Sequence, residues 1–178
     1  LNELMSANAT VFPDAEGEYH DYIEIANRGE QDISLEGYWL SDKAGKPNKW
    51  RFPAVTLPSG GVLAIHCSGE DRWDDPAHLH TSFKLSKGES VYLSQPDGKM
   101  IDLVTVPELQ TGQALSWTRE EGWSTALPPT PNRPNTLEAV LALDADNSGK
   151  RAGNVFISEV MANPVSEKSD WLELYNDG

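Results

Sequence analysis

The sequence predicts an all-β, antiparallel domain of the sandwich or barrel type, and three observations carry that prediction. Apolar residues recur with a period of two through short segments rich in β-branched and aromatic residues. Turn chemistry separates these segments, as LPSGG at 57–61, SKGE at 86–89 and PDGK at 96–99. The segment LPPTPNRPN (127–135) then places four prolines in nine residues, which neither a central strand nor a helix accommodates, so the sheet ends there.

The elements follow in order. YIEIAN (22–27) alternates, with Ile23 and Ile25 on one face and Tyr22 and Glu24 on the other. ISLEGYWLSD (33–42) and KWRFP (49–53) read as further strands whose tryptophans, Trp39 and Trp50, fill the core. GVLAIHCSG (61–69) puts His66 and Cys67 on opposite faces. ESVYLSQ (89–95) and MIDLVTV (100–106) form a hairpin around PDG, with Gly98 in the positive-φ position of the turn. ALSWTRE (114–120) is the last strand before the prolines, and its Trp117 is again expected in the core. TLEAVLALDAD (136–146) is the helix candidate, with Thr136 as N-cap and Glu138 in the first turn. Its apolar run is too short for periodicity to distinguish a helix from an extended linker.

The chain of 178 residues holds one domain of ordinary size and a remainder. Asp and Glu number 28 against 14 Lys and Arg, and the resulting net charge of −14 repels phosphate backbones and anionic lipid, which speaks against nucleic acid as a partner. Cys67 has no second cysteine to pair with and reads as a small buried strand residue. No apolar run approaches the roughly 18 residues that a membrane span needs. No signal segment opens the sequence, and a chain starting on Leu1 is expected to be a piece of something larger.

The sequence repeats itself near its end. LNELMSAN (1–8) matches ISEVMANP (157–164), and DYIEIANRG (21–29) matches DWLELYNDG (170–178), aligning Glu3 with Glu159 and Glu24 with Glu173. The offset falls from 156 to 149 between the two blocks, so the second copy is expected to carry a connecting loop seven residues shorter. A period near 150 fits tandem domains, which makes 155–178 the first two strands of a truncated second repeat. Residues 136–154 are then a linker, and 1–135 the complete domain.

The phrases LNELMSAN, DYIEIANRG, ISLEGYWLSD, KWRFP, LPSGGVLAIHCSG, HTSFKLSKGESVYLSQPDGKMIDLVTVP, SWTRE and PPTPNRPN, in that order, resemble a lamin tail domain of the bacterial type. The resemblance implies an immunoglobulin-like β-sandwich that serves as one module of a large exported or cell-surface protein. It brings no catalytic residues with it. The lamin relatives are interaction modules for proteins and chromatin, but the charge of this chain does not fit a DNA-binding surface.

Candidate sites remain to be weighed on chemistry. Glu3 beside Glu24, and Glu159 beside Glu173, form carboxylate pairs that could hold a cation or act as acid and base; the plainer reading is that each caps backbone groups or pairs with a nearby base. DADNSG (144–149) opens like a calcium loop, with Asp144, Asp146 and Ser148 in the first ligand positions, but Val155 stands where the closing Glu belongs. HLH (78–80) offers two imidazoles on one side of a strand, to which Cys67 would have to fold back for a zinc site. Trp73 and Trp123 fall in polar loops and are the candidates for exposed binding contacts. No glycine-rich phosphate loop or G-x-S-x-G elbow is present, so the chain does not read as an enzyme. Two functions follow: a non-catalytic module contacting proteins or a cell-surface polymer outside the cell, or a carbohydrate-binding module helped by Ca²⁺. An exposed coplanar aromatic pair would favour the second and an apolar edge or face the first. Strands 155–178, marginal alone, are expected to pair with a sheet edge of their own domain or of another copy.

Overall fold

The computed structural model describes residues 1–148, 155–161 and 171–176, with side chains described through residue 143. The chain divides into two units, Leu1–Val140 and Leu141–Gly178. The first contains β1 (Glu3–Met5), β2 (Tyr22–Ala26), β3 (Ile33–Ser34), β4 (Trp39–Ser41), β5 (Trp50–Arg51), β6 (Thr56–Leu57), β7 (Val62–His66), β8 (Ser90–Ser94), β9 (Met100–Thr105), β10 (Leu115–Thr118) and β11 (Gly122–Ser124). A five-stranded sheet in the order β11-β10-β1-β2-β7 and a four-stranded sheet in the order β5-β4-β8-β9 form the sandwich, and β3 and β6 pair as a short ribbon. Every pairing within these sheets is antiparallel.

Period-two alternation supplies the core. Leu4, Ile23, Ile25, Ile65 and Leu115 point inward from the larger sheet and meet Leu40, Trp50, Val91, Leu93 and Val104 from the smaller one. Cys67 lies in the same cluster, and burial pushes its thiol up out of the reactive range. The β8–β9 hairpin turns at PDG, where Gly98 adopts φ 85°.

One division and two strands were not legible in the sequence. ISLEGYWLSD divides into β3 and β4, which belong to different sheets. The two-residue β6 is too short to show a period, and β11 sits in a polar stretch. Two of the three tryptophans expected in the core are also displaced. Trp50 is buried, whereas Trp39 and Trp117 are half-buried under the guanidinium groups of Arg51 and Arg28.

Residues Leu137–Ser148 form α1, so the 136–146 segment is helical rather than an extended linker. Thr136 caps it, its hydroxyl accepting from the Ala139 amide at 3.1 Å. In the second unit β12 (Val155–Met161) and β13 (Trp171–Asn176) pair antiparallel. Glu159 stands opposite Glu173, Val160 opposite Leu172 and Met161 opposite Trp171. The first unit has the same three-rung register: Glu3 opposite Glu24, Leu4 opposite Ile23 and Met5 opposite Tyr22.

Candidate functional site

On an isolated strand the outward set Glu3, Met5, Tyr22, Glu24, Ala64 and His66 would face water, yet all of them are buried. Two segments cover this side of the five-stranded sheet. Val11 and Phe12, from the β1–β2 loop, pack on Met5, Tyr22 and Ala64. The proline-rich segment lies over the two glutamates and is fastened by them. Glu3 accepts hydrogen bonds from Ser116 Oγ at 2.6 Å, from the Thr130 amide at 3.0 Å and from the Tyr22 hydroxyl. Glu24 accepts from Asn2 Nδ2 at 2.7 Å and from the Asn132 amide at 2.6 Å.

Proline removes amide donors from the 127–135 segment, and the two amides at Thr130 and Asn132 end on these buried carboxylates. Asn132 takes φ 60° and its side-chain oxygen accepts from the Ala64 amide at 2.8 Å, so it bonds both ways. Asn135 Nδ2 donates to the carbonyls of Asn2 and Trp117, each at 2.9 Å. Burial pushes both glutamates up, Glu24 to about 8, against the downward pull of their hydrogen bonds. The pair therefore holds a strap onto the sheet. Backbone capping, the plainer reading, is what both carboxylates do, and they do it sealed from solvent.

All four histidines of the chain converge at the other end of this face. Residues 78–81 run beside the end of β7, the His66 amide donating to the Leu79 carbonyl and the Thr81 amide to the His66 carbonyl, each at 2.8 Å. Leu79 enters the core, so His78 and His80 emerge on the side of His66. His66 stacks on Phe12 with ring centroids 4.1 Å apart and lies 4.7 Å from the His80 ring. Its Nε2 is 3.3 Å from His78 Nδ1, while its buried Nδ1 has no hydrogen-bond partner among the described residues. Burial first, then the neighbouring imidazoles, lower the His66 pKa to about 3, so it is neutral at physiological pH.

His20 arrives from the β1–β2 loop and donates from Nε2 to Asp14 Oδ2 at 2.9 Å. The other oxygen of Asp14 accepts from the Glu16 and Glu18 amides at 3.0 and 2.8 Å. Burial alone would raise the Asp14 pKa, but these bonds outweigh it and hold the carboxyl at about 2. His80 is fixed between Ser68 Oγ, 2.9 Å from its Nδ1, and Arg72 Nη2, 3.0 Å from its Nε2. Asp14, His20 and His80 present ligand atoms that all lie within 4.8 Å of one another. The sequence pointed to HLH and Cys67; the structure keeps His80, sends Cys67 to the opposite face and adds Asp14 and His20 from a distant loop.

The other predicted sites lie apart. Trp73 is 53% exposed and stands over a groove lined by Glu36, Arg51, Phe52, Pro53 and Ala54. Trp123 is not a loop residue: it lies on β11 opposite Trp117 and packs against the core cluster. The groove at Trp73 is not lined by Trp123. Asp144, Asp146 and Ser148 have helical backbone in α1, and their side chains lie outside the described residues.

One surface missed in the sequence completes the inventory. Among the described residues β9 is an edge strand, paired only with β8, and its Met100, Ile101 and Leu103 are 52%, 47% and 42% exposed. A register shift at Leu93/Ser94 accompanies them. Period two predicted alternation here, but an edge strand's outward apolar residues look the same in sequence as covered ones.

Residues 2–108 match the family model described as Lamin Tail Domain. The chain belongs to the lamin tail domain family. No curated protein matches it. In this lamin tail domain the sandwich runs past the matched segment: β10 pairs with β1, β11 pairs with β10, and the strap at Thr130–Asn135 closes over Glu3 and Glu24. No helix among the described residues is long and apolar enough to cross a membrane.

Proposed function

We propose that this lamin tail domain is a non-catalytic interaction module of a larger exported or cell-surface bacterial protein, and that it contacts other protein through the outer face of β9. The observation that carries the reading is the row Met100, Ile101 and Leu103 on an edge strand whose second side is unpaired within its sheet. Such an edge offers both apolar area and free backbone groups to an incoming surface. The non-catalytic part rests on the convergent carboxylates: Glu3 and Glu24 are fully buried and occupied in holding the strap. Lys99 adjoins β9 and is exposed, which suits cross-linking in the intact protein. The proposal expects cross-links from Lys99 to residues outside 1–140. Links from Lys43 and Lys87 to such residues, with none from Lys99, would move the contact elsewhere.

The shared register of β1/β2 and β12/β13 supports the further proposal that 155–178 opens a second copy of the module. Its strands would complete a sheet by pairing with another copy or an adjacent domain. The alternative, carbohydrate binding, rests on Trp73 over its groove. Loss of polysaccharide-induced tryptophan quenching in Trp73→Ala is its test, and unchanged quenching counts against it.

A further inference from the structure

We propose that Asp14, His20 and His80 form a binding site for a divalent transition cation of the zinc type. Their ligand atoms already lie within 4.8 Å of one another, and a tetrahedral ion with bonds near 2.0–2.1 Å needs them about 3.3 Å apart. The required closure is therefore of the order of an ångström. Asp14 and His80 are buried and held from behind, as first ligands of a metal need to be. The Glu16 and Glu18 amides occupy Oδ1 of Asp14, leaving Oδ2 toward His20. Ser68 Oγ lies on Nδ1 of His80, leaving Nε2 on the side of Arg72.

Two imidazoles and one carboxylate suit Zn²⁺, Co²⁺ or Ni²⁺ better than the oxygen-seeking Ca²⁺ or Mg²⁺. His20 binds through Nε2, so its ring proton moves to Nδ1 and the ion takes the place of the present hydrogen bond to Asp14. His66 adjoins the site, its ring stacked 4.7 Å from that of His80 and its buried Nδ1 without a partner among the described residues. The competitor is Arg72. Its Nη2 sits 3.0 Å from His80 Nε2 and 3.9 Å from Asp14 Oδ2, so a positive charge already lies where the cation would go. Arg72 also pairs with Glu16 and Glu70 at 3.1 and 2.8 Å, and those carboxylates can retain it once it leaves His80. A bound ion would join the β1–β2 loop to the segment after β7, two parts of the chain about sixty residues apart.

The test is titration of the metal-stripped 178-residue chain with Co²⁺, read by visible d–d absorption, followed by displacement with Zn²⁺. The expected result is one ion per chain with a tetrahedral-type spectrum. Asp14→Asn and His20→Gln each weaken binding by more than about tenfold, since even partners behind the ligands are worth 10–100-fold. Arg72→Gln tightens binding severalfold, which a merely structural role for the cluster would not produce. His78→Ala, outside the triad, leaves affinity unchanged. His80 is buried and its replacement risks misfolding, so the outcome is judged on Asp14 and His20, with folding checked by circular dichroism. Absence of a saturating cobalt spectrum, or a spectrum that survives both Asp14→Asn and His20→Gln, overturns the proposal.

Discussion

Glu24 makes stability depend on pH in a direction unusual for a carboxylate. Burial raises its pKa from 4.5 unfolded to about 8 folded, so between those values the folded chain holds a proton that the unfolded chain has released. Stability from this group is full below pH 4.5 and is lost as pH rises through 8. Glu3, also raised by burial, adds a contribution of the same sign. His66 acts oppositely: its pKa falls from 6.5 to about 3, so its contribution is present above 6.5 and lost as pH falls toward 3. The two oppose each other between pH 4.5 and 6.5, and the informative window is pH 6.5 to 8, where the Leu1 amine, lowered from 8.0 by burial, acts against Glu24 but equally in wild type and Glu24→Gln. There the slope from Glu24 is about 1.4 kcal/mol per pH unit, or about 2 kcal/mol across the window. With a urea m-value of about 2 kcal/mol per M, Glu24's share lowers the unfolding midpoint by roughly 1 M relative to Glu24→Gln. Glu24→Gln cannot ionise and flattens the profile over this window, at a cost near 1 kcal/mol at low pH from the rearranged bond to Asn2. Urea unfolding of both proteins at constant ionic strength decides. A Glu24→Gln profile parallel to wild type over this window would refute the linkage, because every other titrating group is common to the two proteins.

Three further outcomes follow from the same structure. Asn132→Ala strands the Ala64 amide and forces alanine into φ 60°, and is expected to cost about 2–3 kcal/mol in urea unfolding, whereas Asn132→Gly, which relieves only the backbone, costs less. Ile101→Lys with Leu103→Lys should leave stability within about 0.5 kcal/mol, because both side chains face outward; a loss several times larger would show that the β9 face is packed within the module. Light scattering should give a higher oligomeric mass for 1–178 than for 1–140 if the β12/β13 pair adds to a second copy, and equal monomer masses would reject that exchange.

The inner half of the fold was legible because period two records which residues face the core, and Ile23, Ile25, Val91 and Val104 all do. The same period misleads on the outer half. It marks Tyr22 and Glu24 as facing away from the core, but it carries no information on what lies over that face. The cover comes from residues 11–12 and 130–135, brought there by chain closure rather than by local propensity. The four prolines correctly ended the sheet without disclosing that the segment returns across it. His78 and His80 were visible as a pair because HLH has strand spacing; Asp14 and His20 were not, since no fixed spacing links a loop near residue 14 to one near residue 80. The one available signal was compositional: four histidines in 178 residues, each in a segment that the strand order places beside the end of β7. Trp123 was misplaced because a three-residue edge strand in a charged stretch has the composition of a loop.

The most direct measurement of the proposed role is amide hydrogen exchange across Met100–Thr105, in the isolated chain and in the intact protein taken from its host. An edge strand leaves half its amides without a ladder partner, and those exchange fast when the edge is free, except Leu103, whose amide donates to Asp102 Oδ1 at 2.8 Å. The interaction-module account predicts that they slow markedly in the intact protein while the amides of β2, paired on both sides, stay as they were. Identical exchange of the β9 amides in the two forms would contradict it.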